Sequence, residues 1–315
     1  MKKRFQIVVV LLISIISVTT AQVSEEEKAM SQGINNAVVV NIPETNTKIA
    51  EKVWKDYAKQ FSGKTKRNRK SEEWVTSGGK IAGIGGVKEM TLYTQIQSDN
   101  EEVEVSLWVP MEEGYLTSTD YPEEYKEAEK IMNDYALEVR IETVKQELKG
   151  EEKTLEKHER DLKKLKKDNE GYHKDIENAE KDIENSEAAL ITNDDDQKEA
   201  VKNVRMAEDI FAIQKDSFEV LLSNVTEKRE KKSIKKAMRA EEKVVKEAKN
   251  VQKRAEREEK KLRRTIENAK KTIIESEEKI VTNEADQESK VKEIENQKEI
   301  VAEVEKRLKK LYDYK

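Results

Sequence analysis

The sequence predicts an α+β head, an antiparallel sheet with helices on one face, followed by a long all-α coiled-coil or helical-hairpin region. Three observations carry that prediction. From Glu123 to Lys315 there is no proline and there are only two glycines, Gly150 and Gly171. The same 193 residues hold 46 Lys and Arg against 50 Asp and Glu, and their sparse apolar residues recur at three- and four-residue steps, the pattern of long amphipathic helices. All three tryptophans and eight of the ten glycines precede Pro122, so composition alone separates a compact domain from the helical region.

The helical region contains a duplication. Asp175–Arg205 realigns on Thr265–Glu295 at an offset of 90 residues with 14 identities in 31 positions, among them Ile176/Ile266, Ala179/Ala269, Ile183/Ile273, Ser186/Ser276, Asn193/Asn283 and Gln197/Gln287. Apolar type carries over outside that window, as at Leu155/Val245, Phe211/Val301, Phe218/Leu308 and Leu221/Leu311. Two tandem units, about 133–222 and 223–312, follow from it.

Within each unit an apolar track is interrupted. Ile266, Ala269, Ile273, Ser276 and Ile280 step as a coiled-coil seam, and polar Asn283 and Gln287 then occupy the next seam places. The track resumes at Val291 in what reads as a displaced phase, and Val201 does the same in the first unit. Two causes are open. Thr192-Asn193 and Thr282-Asn283, each followed by acidic residues, look like helix starts, which would make every unit a helical hairpin. Alternatively they are polar layers with a four-residue stutter inside continuous helices. The hairpin is the preferred expectation. The narrow seam needs a covering helix, of the same chain or of a partner, and the expected partner is a second copy or another helical envelope protein docking through it.

At the other end of the chain, Met1–Ala21 reads as a signal peptide: basic Lys2, Lys3 and Arg4, an apolar run from Phe5 to Val18, and small residues at Thr19-Thr20-Ala21. The run is shorter than the roughly 20 residues of a membrane span. Cleavage after Ala21 and a periplasmic or secreted location in a Gram-negative bacterium are expected, with no transmembrane span left. The chain has no cysteine, so there is neither a lipobox to acylate nor a disulfide, and stability has to come from packing.

Residues 22–35 read as a polar lead-in and 36–122 as the small α+β domain, whose last helix runs on to about residue 140. Ala37–Ile42 reads as a buried strand ending at Pro43, and Asn46 or Thr47 caps a helix to Phe61 with the stripe Ile49, Val53, Trp54, Tyr57 and Phe61. Met90–Gln97 and Val103–Val109 alternate with period two and form an antiparallel hairpin. Pro122 opens the long helix, whose Tyr125, Ile131, Met132, Tyr135, Ala136 and Val139 supply a second cover for the sheet.

No chemistry emerges from the remaining motifs. The glycines at 83–86 match neither GxxxxGK[ST] nor GxGxxG and read as turns. The basic run Lys64–Lys70 has no interleaved stacking aromatics and sits in a domain with more acids than bases, so it reads as a solvated edge strand and no nucleic acid is expected. His158 and His173 form no HxxxH or HExxH, and Asp194-Asp195-Asp196 lacks the alternation and glycine of a calcium loop. Accordingly no catalytic, cofactor-binding or metal-binding residue is assigned, and the protein is read as a non-enzyme. The expected function is a coiled-coil spacer or oligomerisation scaffold presenting the head; the alternative is an envelope binding module whose head takes a small molecule, peptide or glycan.

The segments Ala37-Val38-Val39-Val40, Val53-Trp54-Lys55-Asp56-Tyr57, Ile84-Gly85-Gly86, Tyr121-Pro122-Glu123-Glu124-Tyr125 and Asn283-Glu284-Ala285-Asp286-Gln287 with Gln297-Lys298 resemble uncharacterised exported proteins of Bacteroidetes that join a small α+β domain to a coiled coil. The resemblance spans nearly the whole mature chain. It implies export and brings no activity, cofactor or catalytic residue; the coil unit often occurs once in such proteins, so its duplication here is a departure.

Overall fold

The computed structural model describes residues 23–99 and 102–315. The expected signal peptide and its cleavage point lie outside the described residues. The chain divides into two units: one runs up to Glu156 and includes Glu295–Lys315, the other is Lys157–Ile294. Two continuous helices, α3 (Pro122–Asn224) and α4 (Lys228–Asp313), contribute to both.

The first unit is built on a six-stranded antiparallel sheet of order β1-β2-β6-β5-β4-β3. Its strands are β1 (Val23–Met30), β2 (Gly33–Pro43), β3 (Lys64–Arg67), β4 (Trp74–Gly79), β5 (Met90–Asp99) and β6 (Glu102–Trp108). The stretch expected to be a polar lead-in is thus an edge strand, paired with β2 from Val23↔Val40 to Met30↔Gly33. Its acids and lysine hid it, because an edge strand needs apolar residues on one face at most. The basic run forms β3 at the opposite edge, as expected of a solvated edge strand.

Period-two alternation does the sorting in β2. Val38, Val40 and Ile42 enter the main core, while Ala37 and Val39 join Trp108 on the other face. Asn46 caps α1 (Thr47–Tyr57), its side-chain oxygen accepting from the Ile49 N–H at 3.0 Å. A 3₁₀ turn over Ala58–Phe61 prolongs it and ends at Ser62 in the left-handed region. Gly63 follows, where a Cβ would come within 2.9 Å of the Gly79 backbone, so the entry to β3 requires glycine. The glycine-rich segment contains a single helical turn, α2 (Ala82–Gly85), instead of turns alone.

α1 and the start of α3 cover one face of the sheet. Trp54 is fully buried, with Tyr135 edge-on at 5.0 Å between ring centres and Tyr57 and Phe61 beside it. The Tyr135 hydroxyl donates to the Ala50 carbonyl at 2.9 Å and the Tyr57 hydroxyl to the Ile131 carbonyl at 3.0 Å, so the aromatic cluster also cross-links the two helices. Burial pushes the hydroxyls of Tyr57 and Tyr125 up to about 12 and that of Tyr135 well above its ordinary value. On the same unit the end of α4 lies against α3, where Ile141, Val144, Val304 and Leu311 form a second buried cluster.

The second unit is an antiparallel pair of helical segments joined by Val225–Glu227. No turn occurs at Thr192-Asn193 or Thr282-Asn283; α3 and α4 run straight through both. The expected hairpin within each repeat is therefore replaced by one helix per repeat, and the chain turns at the repeat boundary near 222. The capping signal failed because its side chains are engaged elsewhere. Asn193 donates to the Ala255 carbonyl across the seam at 3.1 Å, and the Thr282 hydroxyl donates back to the Glu278 carbonyl within its own turn at 3.0 Å.

Candidate helical interface

The seam of the second unit keeps one phase throughout. In α3 the covered positions run Ile176, Ala179, Ile183, Ser186, Leu190, Asn193, Gln197, Ala200, Val204, Ala207 and Phe211, alternating steps of three and four. In α4 they run Ile266, Ala269, Ile273, Ser276, Ile280, Asn283, Gln287, Lys290 and Ile294. There is no stutter. The apparent phase shift came from counting Val201 and Val291 into the track, whereas Val291 is 40 % exposed and the seam places beside it are filled by polar side chains and alanine. Ser186, Asn193, Ser276 and Asn283 are each buried.

Those polar side chains form two layers at equivalent positions of the repeat. In one, Asn193 donates to the Ala255 carbonyl, and Gln197 donates to Asn193 Oδ1 at 2.8 Å and to Glu259 Oε2 at 2.9 Å. In the other, Gln287 donates to Asn283 Oδ1 at 2.6 Å, and Asn169 Nδ2 donates to the same oxygen at 3.4 Å. Shifting the first set of positions by the 90-residue offset exchanges α3 for α4 and lands on the second, 193 and 197 becoming 283 and 287 and 259 becoming 169; the Gln-to-Asn bond within each helix recurs, while the bonds across the seam differ in their partners. The duplicated helices thus pair about a local two-fold axis. A shallow groove sits on it, lined by four pairs of duplicated positions: Asp175/Thr265, Asn178/Asn268, Ala179/Ala269 and Asp182/Thr272. The axis passes where each repeat meets its own copy, so the pairing is self-complementary, the property of a two-fold homodimer interface carried in one chain.

Each layer specifies register. The buried amides of Asn193 and Asn283 are satisfied only when they face their partners, and a slip by one heptad leaves each unpaired at roughly 1–3 kcal/mol.

The candidates for chemistry fall as follows. His158 lies half-buried in the seam with Nδ1 3.2 Å from Glu293 Oε2, and Lys290 reaches both Glu293 at 2.6 Å and the imidazole at 3.4 Å. His173 is exposed. Asp194 and Asp195 pair with Lys198 on the helix surface. Among the described residues no group of three or more His, Cys, Asp or Glu is placed to hold a metal ion. A second groove in the same unit is lined by charged residues and by Tyr172, over whose ring Lys279 sits at 5.7 Å, and it is open to solvent.

One buried acid was not singled out from the sequence. Glu73, only 1 % exposed, accepts from the Ser31 N–H and hydroxyl at 2.6 Å each and from the Ser71 hydroxyl at 3.0 Å. It fastens the β1–β2 turn to the β3–β4 loop. The Glu73-Trp74-Val75-Thr76 pattern carries no signal for it, because the turn it holds lies far away in sequence.

The fold and this interface define a small antiparallel α+β domain joined to an intrachain antiparallel coiled coil. No protein-family model and no curated protein matches the chain. Among the described residues no helix is long and apolar enough to cross a membrane.

Proposed function

We infer that the protein is an exported, non-enzymatic structural or interaction protein, in which the helices act as a spacer or oligomerisation scaffold for the α+β domain. The observation that carries this reading is the pair of symmetry-related polar layers. A chain selected for stability alone would fill those places with leucine; a buried Asn with a half-buried Gln beside it fixes one alignment at some loss of stability, which serves a part whose job is to hold a geometry. The seam is filled by the chain's own helices, so a second chain or another helical envelope protein enters it only by exchanging with α3 or α4. The signal-like leader and the resemblance to exported Bacteroidetes proteins support periplasmic or secreted placement.

Light scattering coupled to size exclusion tests the scaffold reading on residues 22–315. The expected mass is a multiple of one chain; a monomer at every concentration, together with a small-molecule-dependent rise in melting temperature, would transfer the function to the α+β domain as a binding module. Mass spectrometry of the exported product tests cleavage, with Gln22 expected at the N-terminus.

A further inference from the structure

Deepening the scaffold reading, on which it rests, we propose that two copies of this chain associate through an apolar face near the α3–α4 turn, packing hairpin against hairpin as a four-helix bundle. The face follows from the heptad geometry. Asp175 and Asp182 of α3 and Thr265 and Thr272 of α4 line one flank of the seam, with Asn178 and Asn268 just outside them. Because the seam holds its phase, steps of seven along each helix stay on that flank. In α3 they reach Ile210 and Ser217, with Met206, Ile213 and Val220 outside; in α4 they reach Val251, Val244 and Ala237, with Ala240 outside. Charge resumes on the α4 border at Glu247 and Arg254, and Glu247 is paired with Lys243 at 3.7 Å. The opposite flank at the same level is charged, as the Lys249–Glu208 ion pair at 2.7 Å shows.

Met206, Ile210, Ile213, Val220, Val244 and Val251 are 47–71 % exposed, and Ala237 and Ala240 are exposed beside them. They occur in a chain in which 40 % of residues are charged. The face presents on the order of 600 Å² of apolar surface, at the upper end of what a monomer leaves uncovered and close to the roughly 800 Å² that one partner contributes to a standard interface.

The duplication supplies a control within the molecule. For Met206, Ile210, Ile213 and Val220 the positions 90 residues away are Asn296, Ile300, Glu303 and Lys310; for Ala237, Val244 and Val251 they are Glu147, Thr154 and Asp161. One of the seven is apolar there, so the face is not a by-product of the repeat. A second copy is the occupant chosen because the face offers a charged partner little to recognise, and because two antiparallel helices turned about a two-fold axis perpendicular to them present the same apolar stripe to each other.

The test uses residues 22–315 and the double variant Ile210→Glu/Val244→Glu. Both positions are exposed and glutamate has the better helix propensity, so the fold is expected to survive, with circular dichroism as the check. The expected result is a wild-type dimer by sedimentation equilibrium and a dissociation constant raised at least about 100-fold in the variant. Because the chain has no cysteine, Ile210→Cys alone is expected to cross-link with a short bismaleimide, and Arg239→Cys on the other flank is not. A wild-type dimer that survives the double variant and cross-links through Arg239→Cys overturns this face and leaves the scaffold reading standing. A wild-type monomer overturns this proposal and the oligomerisation half of the scaffold reading, and leaves the spacer half standing. A monomer that floats with vesicles of phosphatidylethanolamine and phosphatidylglycerol assigns the face to a lipid surface and overturns the proposal.

Discussion

Two duplicated stretches of the helical hairpin have been put to opposite uses. In the first unit Leu137, Ile141, Val144 and Leu148 of α3 close against Val304, Leu308 and Leu311 of α4, and Ile141 and Val304 are almost fully buried. Their counterparts at the 90-residue offset are Glu227, Lys231, Ile234 and Met238 against Gln214, Phe218 and Leu221. There Leu221 is 48 % exposed and the Gln214 side-chain oxygen is buried without a partner. The seam near the turn has lost apolar bulk at 214, 227 and 231, while the neighbouring flank has gained Met206, Ile210, Ile213 and Val220. One register therefore supports either a closed seam or an outward-facing one, according to which side of the helix carries the apolar residues.

The largest expected effect separates the units by pH. Tyr57 and Tyr125 titrate at about 12 and Tyr135 well above its ordinary value, all raised chiefly by burial, while the unfolded chain ionises near 10. A raised folded value means that their contribution is complete below pH 10 and is lost as pH rises toward 12. Tryptophan fluorescence, which reports the first unit alone because all three tryptophans lie there, should therefore collapse in that window. Retention of native fluorescence to the top of it would contradict the buried-tyrosine account.

Next in size, Val304→Gln imposes on the closed seam the residue found at 214. Chemical denaturation should show a loss of about 2–4 kcal/mol, from the removed contacts and a buried amide without partners. An indistinguishable midpoint would mean that the two stretches are not packed differently. Asn193→Leu with Asn283→Leu removes the buried amide of each polar layer and should raise stability by about 1–2 kcal/mol while admitting alternative registers, seen as heterogeneous amide exchange in α3 and α4. The smallest effect is the reverse exchange: Gln214→Val should stabilise the turn end by about 1 kcal/mol, measured by slower exchange of the flanking amides.

Much of this architecture was legible beforehand. The order of strands and helices, the sheet with helices on one face, the Asn46 cap and the aromatic stripe that meets Tyr135 all follow from local periodicity and capping chemistry. Edge strand β1 was not legible, since pairing with β2 compensates for a sequence of low strand propensity. Nor was the choice between a turn and a polar layer at Asn193, Gln197, Asn283 and Gln287, because Thr-Asn before acids fits a helix start as well as a seam place until a second helix offers those side chains partners. The turn at Val225–Glu227 has no glycine or proline; its one sequence mark is the boundary between the repeats.

By itself, then, the chain's order of residues determined the long helices, the strands other than β1 and the 90-residue repeat, because each depends on spacing along the backbone. Only tertiary structure decided that a repeat is one helix, that the copies pair about their own axis, and that the apolar residues near the turn stay uncovered. Those outcomes turn on which surfaces meet, and a polar side chain buried against its partner reads, residue by residue, like one facing water.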